Sequence, residues 1–132
     1  MTNLEQHIAS ILTKEKIDFI REYWFKDLHG GRYRYDFYLP KLNILVEVDG
    51  PHHTKQIYTR KEFMAGKERD RRKNSYALAN NIPLYRIQYW DINNKKINSF
   101  SDITQDKNRV KSKFHNDYII CKNAQKINRI FL

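Results

Sequence analysis

Leu4, Ile8, Ile11 and Leu12 recur at helical spacing near the start of the chain, and Thr2-Asn3-Leu4-Glu5 ahead of them has the form of a capping box. A first helix is expected, ending between residues 14 and 17. Residues 33–39 then alternate between apolar and polar, and residues 43–48 are rich in branched apolar side chains. Pro40-Lys41-Leu42 between them reads as a turn, so the two stretches predict a β-hairpin. Gly50-Pro51 stops the second strand, and a loop of His, Thr, Lys and Gln follows. Residues 62–80 are charged and helix-favouring, with Phe63, Asp70, Asn74, Ala77 and Leu78 near one face and Asn80-Asn81 as the C-cap. Pro83 rules out further helix, and the run LYRIQY from Leu84 has the aromatic and branched content of a third strand. The second helix would therefore cross between strands. Residues 91–116 are polar and weakly periodic, and Tyr118-Ile119-Ile120 and Ile130-Phe131-Leu132 are short apolar runs. No element is assigned over residues 91–132.

The hairpin predicts its own register, because opposite residues of an antiparallel pair share a face. With residues 40–43 as the turn, Leu39 faces Ile44, Phe37 faces Val46 and Tyr35 faces Val48 on one apolar face. The other face then sets Asp36 against Glu47 and Arg34 against Asp49, gathering three carboxylates around one arginine. Like charges directly opposite each other destabilise a sheet. A divalent cation between them reverses that sign, and hard oxygen ligands of this kind suit Mg2+ or Mn2+. The alternative is a surface cluster in which Arg34 and nearby lysines neutralise the acids; the facing geometry favours the metal.

Composition narrows the class of partner. A chain of 132 residues suits a single domain, and 40% hydrophobic residues with nine Tyr and seven Phe supply the material of a core. Lys and Arg number 25 against 15 Asp and Glu, a formal charge of +10, which makes phosphate backbones the expected partner. A Lys- and Asn-rich composition also has the bland explanation of an AT-rich genome. The single Cys121 excludes an intramolecular disulfide, and no Cys/His spacing matches a structural zinc site. Neither a signal peptide nor a stretch of transmembrane length is evident, so a cytoplasmic protein without a membrane partner is expected.

The runs RYDFYLPKLNILVEVDGPHH and KERDRRKNSYALANNIPLYRI carry a resemblance. They combine an aspartate before an apolar strand, a Glu-x-Asp-Gly strand end, a histidine shortly after it, and an Asp-x-x-Lys helix leading to an Ile-Pro-Leu-Tyr-Arg-Ile strand. This order resembles small phage and mobile-element nucleases of the PD-(D/E)XK superfamily, in the branch of the very-short-patch repair and EDxHD homing endonucleases. The likeness covers residues 2–90 and leaves 91–132 unmatched. It implies an α/β, restriction-endonuclease-like fold, a mixed sheet with flanking helices, and an Mg2+-dependent endodeoxyribonuclease.

Carried onto this chain, the resemblance makes Asp36 the central metal ligand, with Glu47 and Asp49 as the acidic pair. His53 matches the histidine after the Asp-Gly turn and would handle protons, with His52 as a substitute. Glu5 matches the glutamate of the first helix, a role that stands beside its place in the capping box. Asp70 and Lys73 match the helix motif, although on the residues alone a solvated helix face is favoured for both. Where the superfamily usually places a lysine, two residues after Glu47, stands Asp49. Lys55, Arg34, Lys73 and a protonated His53 all stay open for the electrophilic role, and Arg34, Lys55 and Lys73 are the candidate DNA contacts. Arg32-Tyr33-Arg34-Tyr35 interleaves aromatic and basic residues in the manner of a stacking surface, but core packing is favoured for the two tyrosines. Two other readings compete with the nuclease: a non-catalytic nucleic-acid-binding or regulatory protein on the same fold, and a Holliday-junction resolvase, which would act as a homodimer.

Overall fold

The computed structural model describes residues 2–51 and 59–117. Helix α1 (Asn3–Lys14) opens the chain, and its capping box is complete, with Glu5 N–H donating to the Thr2 hydroxyl while the Glu5 carboxylate accepts from Thr2 N–H. Strands β1 (Ile20–Trp24), β2 (Arg34–Leu39) and β3 (Ile44–Asp49) follow, then helix α2 (Arg60–Ala79) and strand β4 (Leu84–Gln88). Two short helices, α3 (Tyr89–Asn93) and α4 (Phe100–Ile103), lead into a 3-10 turn at Asp106–Asn108. The strands form one mixed sheet in the order β1-β2-β3-β4, antiparallel except for the β3/β4 pair, which is parallel. A parallel pair needs a crossover, and α2 supplies it as expected.

Both faces of this sheet are covered. Ile8, Ile11 and Leu12 of α1 pack with Phe37, Leu39, Val46 and Ile87 on one side, joined by Ile92, Ile97 and Ile103 from the segment after β4. On the other side, Ala77 of α2 packs with Leu28, Tyr35, Leu45, Leu84 and Val110. All five positions of β4 are buried, as expected of a strand covered on both faces. The residues after Trp90, left without an element in the sequence reading, thus supply part of the core. Val110 N–H also donates to the Leu84 carbonyl, covering the outer edge of β4. β1 is an element that the apolar pattern did not announce, because its burial alternates around the charged pair Arg21 and Glu22.

The hairpin keeps the expected register at the turn end, pairing Leu39 with Ile44 and Phe37 with Val46. There the ladder gives way. Asp36 N–H donates to Glu47 Oε1 at 2.7 Å, and Val48 N–H donates to Asp36 Oδ2 at 2.7 Å, so side chains occupy the places of backbone partners. The expected single apolar face also breaks at this point. Tyr35 lies in the α2-side cluster while Phe37 lies in the α1-side cluster, and Glu22, on the neighbouring strand between Arg21 and Tyr23, has φ 52°. The strict alternation of sides assumed for β2 thus fails between Tyr35 and Phe37, at Asp36, where side chains replace backbone partners. Among the described residues, no helix is long and apolar enough to cross a membrane.

Candidate active site

The C-terminal ends of β1, β3 and β4 and the N-terminal end of β2 meet at one end of the sheet. A cleft of about 350 Å³ opens there, floored by Asp36, Glu47, Asp49, Asp70 and Lys73 and rimmed by Arg32, Arg34 and Arg69, whose side chains are exposed. Asp36 and Glu47 are tied to each other's strands by the two side-chain-to-backbone hydrogen bonds. Burial, followed by the neighbouring charge of Glu47, pushes the Asp36 carboxyl up to about 8. At neutral pH the pair therefore keeps a proton on Asp36. Glu5 reaches the same spot from α1 while still capping its helix: it pairs with Arg21 at 3.2 Å and shares a hydrogen bond with Asp36. Burial works to raise its carboxyl, but hydrogen bonds from Thr2 and Asp36 and the charge of Arg21 outweigh it and hold Glu5 below the ordinary value.

Helix α2 supplies the cation. Its inward stripe is Asp70, Lys73, Asn74 and Ala77, at i, i+3, i+4 and i+7, so the helix presents polar groups where a core helix normally presents leucines. The solvated face favoured for Asp70 and Lys73 is overturned, since each is only 5% exposed. Lys73 Nζ donates to Glu47 Oε2 at 2.8 Å and to the Arg34 carbonyl, and lies 5.0 Å from the centre of the Tyr35 ring, whose hydroxyl donates to the Lys73 carbonyl. A buried ammonium costs several kcal/mol unless it is paired and hydrogen-bonded, and here every contact meets that need.

Asp49, expected as a third metal ligand, lies in the same cleft with its oxygens already engaged by protein donors. Its Oδ1 accepts from Arg86 Nη1 at 2.8 Å, and its Oδ2 accepts from Gln88 at 3.0 Å and Asn116 at 3.2 Å. Arg86 is fully buried at the centre of β4, 3.7 Å from Asp70 and 3.9 Å from Glu47, and its Nε donates to Asn74 Oδ1 at 2.8 Å. Burial alone would lower its pKa, but Asp49, Asp70 and Glu47 together drive it above the usual arginine value. Arg86 is thus the cationic centre behind the acids, and Arg34, set opposite Asp49 in the expected register, lies at the rim. His115 stands close to Arg86 and Asp49; burial first, and then Arg86, push its imidazole below the ordinary 6.5.

No family model matches this chain, and no characterised protein matches it.

Several of these groups were legible from sequence and others were not. Asp36, Glu47, Asp49, Lys73 and Arg34 are brought to one cleft, and Glu5 touches its edge. His52, His53 and Lys55 lie outside the described residues. Arg86 and Gln88 were passed over, although two polar residues alternating with Leu84, Tyr85 and Ile87 on a strand that follows an acidic one are a usable signal. Asn116, which donates to Asp49 from the unmatched segment, has no sequence signal, because only the fold brings residues 49 and 116 together.

Proposed function

We propose that the cleft is the active centre of a metal-dependent DNA endonuclease of the PD-(D/E)XK type, on a restriction-endonuclease-like version of this mixed sheet. What carries the reading is the splayed end of the hairpin, where Asp36 and Glu47 are held side by side with the Lys73 ammonium on Glu47. A half-buried acid forced against a buried one, and keeping its proton near neutral pH, forms a site whose electrostatic cost a cation would relieve.

The donor set fits Mg2+ or Mn2+. Among the described residues no group of three or more His, Cys, Asp or Glu is arranged to hold a metal, but Mg2+ is commonly held by one or two carboxylates with water and substrate phosphate completing its shell. Asp36 and Glu47 would hold it, with Asp49 behind them steadied by Arg86. When bound, the ion supplies Lewis-acid stabilisation of the phosphate and activation of a water. The ion pair of Lys73 with Glu47 supports giving Lys73 the electrophilic role of the superfamily's usual lysine, ahead of Arg34 at the rim, the other described candidate. Arg32, Arg34 and Arg69 bind flanking phosphates and balance the repulsion that the acidic floor exerts on them. Glu5 and Arg21 orient Asp36. His53, by the resemblance, moves the proton.

Incubating the protein with supercoiled plasmid, with and without Mg2+ or Mn2+, tests this reading. Nicked or linear product that requires the metal and disappears in Glu47→Gln is the expected result. Metal-independent binding without any cleavage would favour the non-catalytic alternative, which the ion pairs already engaging Glu47 and Asp49 also accommodate. A dimer in solution that cuts only four-way junctions would favour the resolvase.

A further inference from the structure

The cleft has an aromatic neighbour with no part in the chemistry just described. Trp24 ends β1 directly opposite Arg34, so the two side chains are neighbours on one face, and Arg34 lines the cleft together with Arg32. Trp24 is 47% exposed. Exposure alone means little on an edge strand, and Ile20 on the same strand is as open. Trp24 differs in having a seat shaped for it. A Cβ at Gly31 would lie 2.7 Å from the indole Cε3, so the ring rests against a backbone that tolerates no side chain there. His29, Gly30 and Gly31 all take positive φ, at 48°, 64° and 79°, to form that turn.

Tyrosines interleaved with the arginines do not compete for this role. Tyr35 is fully buried, and Tyr33 is stacked on His29 with ring centres 4.7 Å apart. Tyr33 lines the cleft but already stacks on His29, whereas the half-exposed indole of Trp24, resting against Gly31, stands across the β1/β2 pairing from Arg34 of the rim. A flat, immobilised ring next to phosphate-binding cations is the arrangement that stacks nucleobases. Bases inside a duplex have their faces covered by their neighbours, so only an unpaired base offers a face to it.

We propose that Trp24, seated on Gly31 beside Arg34, is a stacking platform for an unpaired nucleobase adjacent to the phosphate held in the cleft. The substrate is then DNA with an unpaired nucleotide at the cleavage point, such as a flap, bulge or single-strand junction. This inference rests on the nuclease reading of the cleft, which it deepens.

The test compares two labelled DNA probes of equal phosphate number, one fully paired and one with a single-stranded branch, by fluorescence anisotropy without divalent metal, so that neither is cut. Wild-type protein should prefer the branched probe by about tenfold to a hundredfold, as one base stacked on an aromatic side chain gives. Trp24→Ala should lose that preference while binding the paired probe as before, and Trp24→Phe should keep most of it. Because Trp24 is half exposed, the variants should melt close to wild type, which circular dichroism checks. A Trp24→Ala protein that still prefers the branch overturns the proposal, as does wild-type protein that binds both probes equally, and in both cases the nuclease reading stands. Wild-type protein that binds neither probe overturns both.

Discussion

Replacing Asp36 with Asn removes a charge while keeping the shape of the protonated acid, and its effect follows from the cleft's electrostatics. Burial and the proximity of Glu47 raise the Asp36 carboxyl from 3.8 to about 8, against the opposing hydrogen bond from Val48 N–H and the charge of Lys73. A carboxyl whose folded value lies above its unfolded value contributes stability that is complete below pH ~4 and is lost as pH rises toward ~8. About three pH units separate 3.8 from neutrality, and at ~1.4 kcal/mol each they set a ceiling of about 4 kcal/mol on the penalty at pH 7. The substituted amide carries no such penalty, and its oxygen can still accept from Val48 N–H. The metal-free variant should match wild type near pH 4 and exceed it by roughly 2–4 kcal/mol at pH 7, with a gap that stops growing above pH ~8. Urea denaturation followed by circular dichroism between pH 4 and 9, in chelator, measures this. Added Mg2+ should stabilise wild type and leave the variant unmoved. A gap that is independent of pH, or a variant weaker than wild type at pH 7, would refute the assignment of Asp36 as a strained, proton-holding acid.

Other perturbations separate the cleft's roles. Lys73→Met removes the ammonium 2.8 Å from Glu47 and leaves Arg86 at 3.9 Å, so chemical denaturation at neutral pH should show a loss of about 1–3 kcal/mol. The same variant should cut DNA at least a hundredfold more slowly at saturating metal, and wild-type rates would remove Lys73 from the chemistry. Arg86→Met strips the cation from between Asp49 and Asp70, for which chemical denaturation should show a loss of about 3–5 kcal/mol; an unchanged midpoint would mean the acids are neutral in the fold. His53→Ala should slow cleavage by about a hundredfold to ten-thousandfold with metal binding intact, whereas His52→Ala should cost little, and equal losses in the two would show that neither is the specific proton carrier.

The elements whose stability is local were readable from the sequence by itself: the capped first helix, the hairpin and its turn, the second helix and the third predicted strand. Their signals are periodicity, capping and turn chemistry, all of which act over a few residues. The acidic constellation was legible for the same reason, since Asp36 and Glu47 are close along a hairpin whose turn sets the register. Tertiary structure decided what those acids are bonded to. Lys73 looks like a solvated residue on a charged helix until β3 is laid beneath it, and Arg86 looks like one more surface cation until it is enclosed by Asp49, Asp70 and Asn74. Asn116 reaches Asp49 across 67 residues of chain. Likewise β1 exists because it pairs with β2, and the segment after Trp90 finds its place because the β4 edge and the α1-side core were left uncovered. A polar side chain carries no mark in sequence of whether it is buried, because the partner that makes burial tolerable is supplied by a distant element.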